Sequence, residues 1–186
     1  MTLERLLSVS NILAIDPGNK ETGWCVVDSV TLKPIEIGKT NNTELITTIE
    51  NMLFIHQSST GENTIDVVIE MIASYGMPVG KEVFDTCVYI GRLVELCRQY
   101  KAKCTLIYRK DEKMTICHSM KANDATIKQA LVDRFAYGEK NYGKGTKANK
   151  GWFYGFKADI WSAYAVAVTY SDMKELDQLN DSQKIF

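Results

Sequence analysis

The sequence predicts an α/β fold: a five-stranded mixed sheet flanked by helices. Three observations carry this reading. Short apolar runs rich in β-branched residues alternate with longer segments at helical spacing. The first three runs follow one another through short turns, which makes antiparallel hairpins. The later runs are each separated by a helix-length segment, which makes right-handed crossovers and parallel pairs.

Taken in order, Ile12-Leu13-Ala14-Ile15-Asp16 is the first strand, and Pro17-Gly18 stops it. Gly18 to Gly23 reads as turn, Trp24 to Asp28 as the second strand, and Ile35 to Lys39 as the third. The period then changes. Leu45, Ile46, Ile49, Met52 and Leu53 fall on one helical face, with Thr43 as N-cap. Asp66-Val67-Val68-Ile69-Glu70 is the fourth strand, and pairing it beside the first brings Asp16 and Glu70 to the same sheet edge. A long helix from Glu82 to Tyr100 is apolar on more than one face, so it is buried on two sides, or it packs on the sheet and also against a partner. Cys104 to Arg109 is the fifth strand. Helices from Asn123-Asp124 to Phe135 and from Ala158 to Met173 complete the chain.

With 186 residues, the chain is long enough for one substantial core, and we read 1–186 as a single domain. Residues 1–10 read as a peripheral leader and 174–186 as a peripheral tail. No apolar run approaches the roughly 20 residues of a membrane span, and the start is too short and acidic for a signal peptide. Five cysteines without CxxC spacing suit reduced core residues rather than disulfides or zinc, so cytoplasm is the expected compartment. A net charge of −1 excludes a uniformly basic nucleic-acid binder. The charge is uneven, however. Lys140, Lys144, Lys147, Lys150 and Lys157 cluster in one glycine-rich stretch, which permits a polyanionic partner on one face. The interleaved Trp152, Phe153, Tyr154 and Phe156 suit packing better than base stacking.

The candidate chemistry rests on carboxylates. Asp16 and Glu70 end two strands, where open α/β sheets place their sites. Adjacent acids in a partly buried site repel and stay ionised only beside a cation. Oxygen donors without a His or Cys cluster select Mg²⁺ or Mn²⁺. Asp159, in the first turn of the last helix, is the third acid. Three such acids can hold two ions about 3.5–4 Å apart, a geometry that suits phosphodiester cleavage.

These motifs carry a resemblance. Ile12 to Gly18, with Thr22-Gly23-Trp24 after it, resembles the opening of RuvC-type Holliday-junction resolvases. Val68-Ile69-Glu70 is similar to their second motif, and Lys157 to Ala167 to their final helix. The resemblance spans about 12 to 170. The stretches Ile69 to Cys87 and Gly151 to Tyr170 look most like the versions carried by phages of low-GC Gram-positive bacteria. It implies an RNase H-like fold, a homodimer, Mg²⁺ dependence with Mn²⁺ substituting, and symmetric nicking of four-way DNA junctions in the host cytoplasm. It makes Asp16, Glu70 and Asp159 the catalytic metal ligands. The family carries a second acid three residues after the first on its last helix, where this sequence has Ser162. Three acids then suffice, or another residue substitutes; Asp124 is the candidate, at about the place where many members carry a lysine. The loop after the second motif, with Tyr75 and Met77, corresponds to residues that prise open the junction centre. Lys113, Lys121, Lys144 and Lys147 are the candidate phosphate contacts.

Other readings stand beside this one. Asp16 suits an Asp-Pro-Gly turn, Glu70 a solvated strand end, and Asp159 a helix-dipole partner. The function alternatives are an RNase H-like nuclease acting on RNA or on branched DNA more broadly, and a junction-binding protein whose site has decayed. Sugar kinases share the first motif but need two such domains.

Overall fold

The computed structural model describes residues 10–57, 63–74, 76, 78–176 and 184–185. Strands β1 (Asn11–Asp16), β2 (Glu21–Asp28), β3 (Pro34–Asn41), β4 (Ile65–Met71) and β5 (Cys104–Tyr108) form one sheet in the order β3-β2-β1-β4-β5. The β1–β2 and β2–β3 pairs are antiparallel, and the β1–β4 and β4–β5 pairs are parallel. This is the mixed sheet expected from the spacing of turns and helices. The helices are α1 (Asn42–Ile55), α2 (Lys81–Gln99), α3 (Arg109–Cys117), α4 (Asp124–Phe135) and α5 (Ala158–Glu175), with a 3₁₀ turn at Lys140–Gly143.

Strand alternation divides the core in two. Ile12, Ala14, Cys25, Val27, Val68 and Ile107 face α4 and α5. Leu13, Ile15, Trp24, Val26, Val67 and Ile69 face α1 and α2. Asp16 and Glu70 share the parity of Ala14 and Val68, so both carboxyls project on the α5 side. α5 is the central helix of that layer and is buried nearly all round, as its apolar composition requires. Tyr164 is tied within it by donating to the Leu32 carbonyl at 2.9 Å and accepting from Trp152 Nε1 at 3.0 Å. Phe153 and Phe156 are fully buried and pack edge-on at 5.1 Å, so these aromatics do pack rather than present faces for stacking.

Three local expectations change. The first turn is shorter than the Gly18–Gly23 reading, because Glu21, Thr22 and Gly23 already pair within β2. Asn41 rather than Thr43 caps α1: its side chain accepts from the Thr43 N–H, an Asx geometry that starts the helix two residues earlier. Arg109 does not end β5 but begins α3, a helix that the sequence reading lacks. The segment is charged and shows little apolar period, while Asp111 starts the helix by accepting from the Tyr108 N–H at 3.0 Å. Phe84 and Val88 on α2 are 59% and 68% exposed, so among the described residues its second apolar face is left open, as packing on the sheet and against a partner requires.

One close approach positions the last helix. A Cβ built on Gly23 would lie 2.4 Å from the Asp159 carbonyl oxygen and 2.8 Å from its Cβ. The first turn of α5 therefore rests directly on the β2 backbone, which only glycine permits. Gly23→Ala is expected to lower stability by about 1–3 kcal/mol, measured by urea unfolding, as overpacking against a fixed helix does. A midpoint unchanged from wild type would show that α5 has room to shift.

Candidate active site

The sheet register assembles the site. Asp16 on β1 pairs with Gly23 on β2, and Gly23 pairs with Lys39 on β3, so the three form one row across the sheet. Asp159 sits over the middle of that row. Its Oδ2 is 2.8 Å from Lys39 Nζ, which also lies 3.1 Å from Glu21 Oε2. On the other side, β1 and β4 run parallel with Ile15 beside Ile69, so the next residues, Asp16 and Glu70, are neighbours. The structure thus brings together all three acids that the sequence singled out.

Asp16 and Glu70 are mutually hydrogen-bonded. Burial holds the Glu70 carboxyl well above its ordinary 4.5, helped by the charges of Glu112 and Asp16. Burial also raises Asp16, while the hydrogen bonds from Glu70 and Ser162 and the Arg109 charge oppose it. Burial thus holds both carboxyls above their ordinary range, with a hydrogen bond between them. Ser162, which stands where a fourth acid was expected, donates to Asp16 instead.

Two residues that the sequence reading missed complete the arrangement. Glu112, on α3, has a side chain with no exposure, and Arg109, one turn before it, pairs with both Glu112 and Asp124. Burial raises the Glu112 carboxyl first, the nearby Arg109 lowers it, and Asp16 and Asp124 raise it. In sequence Arg109 to Lys113 looks like a solvated charge run. The available signal was spacing: Glu112 lies four residues before the half-buried Ile116, on the inner face of a helix whose existence the apolar pattern did not show. Asp124, the proposed substitute acid, is 88% exposed at the side chain and turned to Arg109.

A cleft of about 420 Å³ opens beside the acids, lined by Arg109, Lys128, Lys144, Lys157, Asp159 and Ser162 among others. A second, of about 660 Å³, lies on the other side of Lys157 and takes in Lys33, Lys39, Lys150 and Tyr154. Of the lysines proposed from sequence, Lys144 lines the first cleft. Lys113, Lys121 and Lys147 line neither, while Lys33, Lys39 and Lys128 went unread because they are scattered singly in the sequence. Tyr75 and Met77 lie outside the described residues.

Among the described residues no three His, Cys, Asp or Glu side chains stand grouped to hold a metal ion. Asp159 is drawn to Lys39, and Asp124 and Glu112 to Arg109. The donor set nevertheless fits a hard divalent cation: all donors are carboxylate or hydroxyl oxygens, two of the acids are buried against each other, and Glu112 Oε1 is buried without a hydrogen-bond partner. Lysine and arginine side chains supply the positive charge that these acids require.

No protein-family model matches the sequence, and no curated protein matches it either. Solved structures do match the fold. RuvC of Thermus thermophilus in complex with a Holliday junction substrate superposes with a TM-score of 0.66 at 11% identity, over 92% of this chain and 98% of that one. A second Thermus thermophilus RuvC structure gives 0.63 at 13% identity, over 91% and 98%. The yeast mitochondrial Holliday junction resolvase Ydc2 gives 0.56 at 15% identity, over 90% and 80%. The chain has the RNase H-like fold of these proteins.

The buried carboxyls have a consequence for stability. A carboxyl raised in the folded state binds a proton that the unfolded chain has already released, so stability is highest below the unfolded value and declines as pH climbs toward the folded one. In EDTA the protein is expected to lose stability between about pH 5 and pH 8. Glu70→Gln should flatten that slope and melt above wild type at pH 8, by on the order of 1–2 kcal/mol. Thermal denaturation across pH checks this, and parallel wild-type and variant profiles would contradict the burial of Glu70.

Proposed function

We propose that this protein is a metal-dependent, structure-selective endodeoxyribonuclease that nicks four-way DNA junctions. The observation that carries the reading is the convergence of Asp16, Glu70 and Asp159 beside lysine-lined clefts, in a chain with the fold of RuvC. The resemblance to phage-carried resolvases supports placing it in that branch, with a bacterial host cytoplasm as its place of work. Among the described residues no helix is long and apolar enough to cross a membrane.

In this mechanism Asp16, Glu70 and Asp159 hold Mg²⁺, for which Mn²⁺ substitutes. When bound, the ions supply an activated water and stabilise the leaving oxygen. The chain's own residues do the rest. Asp159 turns from Lys39 toward Asp16, and Lys39 is freed to meet a phosphate. Glu70 and Asp16, hydrogen-bonded to each other, would both face the ion as carboxylates. Ser162 keeps Asp16 oriented by its hydrogen bond. Lys128, Lys144 and Lys157 neutralise the backbone of the cut strand.

A homodimer delivers two such sites to two opposed strands. The exposed apolar face of α2, with Phe84, Val88 and a shallow groove bounded by Ile46, Val88 and Leu96, is the contact we assign to it. Val88→Glu should give a monomer in sedimentation analysis at micromolar concentration, where wild type is a dimer. Equal masses would remove α2 from the interface.

The function is tested by incubating the protein with a synthetic four-way junction, a matched linear duplex and an RNA–DNA hybrid, in Mg²⁺, Mn²⁺ or EDTA. Paired nicks in the junction alone are expected, requiring a divalent ion. Asp16→Asn and Asp159→Asn should lower the nicking rate by roughly a hundredfold or more while retaining junction binding. Cutting of duplex or hybrid as well would favour a broader nuclease. Junction binding with no cutting in any metal would favour a silent binding protein, the reading that Ser162 and the Lys39–Asp159 pair support.

A further inference from the structure

We propose that Glu112 is a fourth carboxylate ligand of the divalent-ion site, held by Arg109 until an ion enters. The inference rests on the metal-dependent reading of Asp16, Glu70 and Asp159 and adds a ligand from a different element. α3 packs against α5 and carries Glu112 inward from the β5 side of the sheet, opposite to Asp159. The Glu112 side chain has no solvent exposure. One oxygen pairs with Arg109, and the other, Oε1, is buried and accepts no hydrogen bond.

Carboxylates are rarely buried with an oxygen left over, because desolvation of a charged acceptor is costly. Such a group persists where a ligand completes it. The charges nearest to Glu112 show what that ligand is. It faces Asp16, Glu70 and Asp124, and its charge bears on Glu70 more strongly than that of Asp16 does. Arg109 is the cation that offsets them among the described residues. A cluster of this sign and hardness selects a small divalent cation. Ser162 brings no charge to the α5 side of the site, so the extra carboxylate comes from α3. Arg109 then acts as a resident counter-ion. It pairs with Glu112 and Asp124 in the absence of metal, and would turn to Asp124 or to a phosphate when an ion takes its place.

A simpler role for Glu112 would be to anchor Arg109, and the two roles differ in sign. If Glu112 only anchors Arg109, Arg109→Gln and Glu112→Gln should perturb the site alike. If Glu112 is a ligand, Glu112→Gln weakens ion binding, whereas Arg109→Gln removes a competing cation and strengthens it. The measurement is Mn²⁺ binding to the full chain without DNA, by calorimetry and by the electron paramagnetic resonance signal of free Mn²⁺. Wild type, Asp16→Asn, Glu112→Gln and Arg109→Gln are compared at one pH.

The expected result is Mn²⁺ binding by wild type, its loss in Asp16→Asn, a roughly 10- to 100-fold weakening or the loss of one bound ion in Glu112→Gln, and tighter binding in Arg109→Gln. Glu112→Asp, which keeps the charge on a shorter stem, should fall between wild type and Glu112→Gln, and serves if the amide variant does not fold. Binding in Glu112→Gln equal to wild type, with Asp16→Asn still defective, would overturn this inference and leave the nuclease reading intact. Weakening of both Glu112→Gln and Arg109→Gln would assign Glu112 to anchoring alone. Absence of Mn²⁺ binding in wild type would overturn the metal-dependent reading and this inference with it.

Discussion

The close approach of α5 to β2 at Gly23 is the contact on which the site depends. It sets the height of the last helix over the sheet. It also places the first turn of that helix between Asp16 on β1 and Lys39 on β3, because those two residues flank Gly23 in register. A side chain at this position would lift the helix by the width of a methyl group and carry Asp159 away from the sheet edge. The apolar surface of α5 then holds the arrangement: a helix buried on nearly every side has little freedom to slide or roll.

The second constraint is electrostatic. The fold gathers Asp16, Glu70 and Glu112 on one side of the sheet, away from bulk water and close enough to raise one another. A protein selected for stability alone would not keep this arrangement, since burial opposes every one of these charges. The structure answers with a hydrogen bond between Asp16 and Glu70, with Arg109 between Glu112 and Asp124, and with Lys39 on Asp159. The acids are therefore held in place by Arg109, Lys39 and their own hydrogen bond.

The clefts on either side of Lys157 give this charge distribution a direction. Lys128, Lys144 and Lys157 line the cleft that takes in Asp159, and Lys33, Lys39, Lys150 and Lys157 line the other. Net charge near zero conceals this separation, because acidic residues elsewhere balance the lysines. Local charge, rather than the total, decides which partner such a surface admits.

Much of the fold was legible in the sequence because strand runs and helix periods are local. Ile12 to Asp16, Asp66 to Glu70 and the apolar last helix carry their identity in consecutive residues, and right-handed crossover pairing then places Asp16 beside Glu70. Asp159 followed from its place in a helix's first turn. What sequence alone did not decide is what long-range packing decides. α3 has almost no apolar period, so its inward face, and Glu112 on it, is visible only once α5 lies against it. Lys33, Lys39 and Lys128 are single lysines in unrelated segments until strand register and helix packing bring them to shared clefts. Residue type and spacing thus determined the mixed sheet and the pairing of its fourth strand with its first, and with it the placing of Asp16 beside Glu70. Only the folded chain decided which buried groups face them, because burial and charge proximity belong to space and not to sequence.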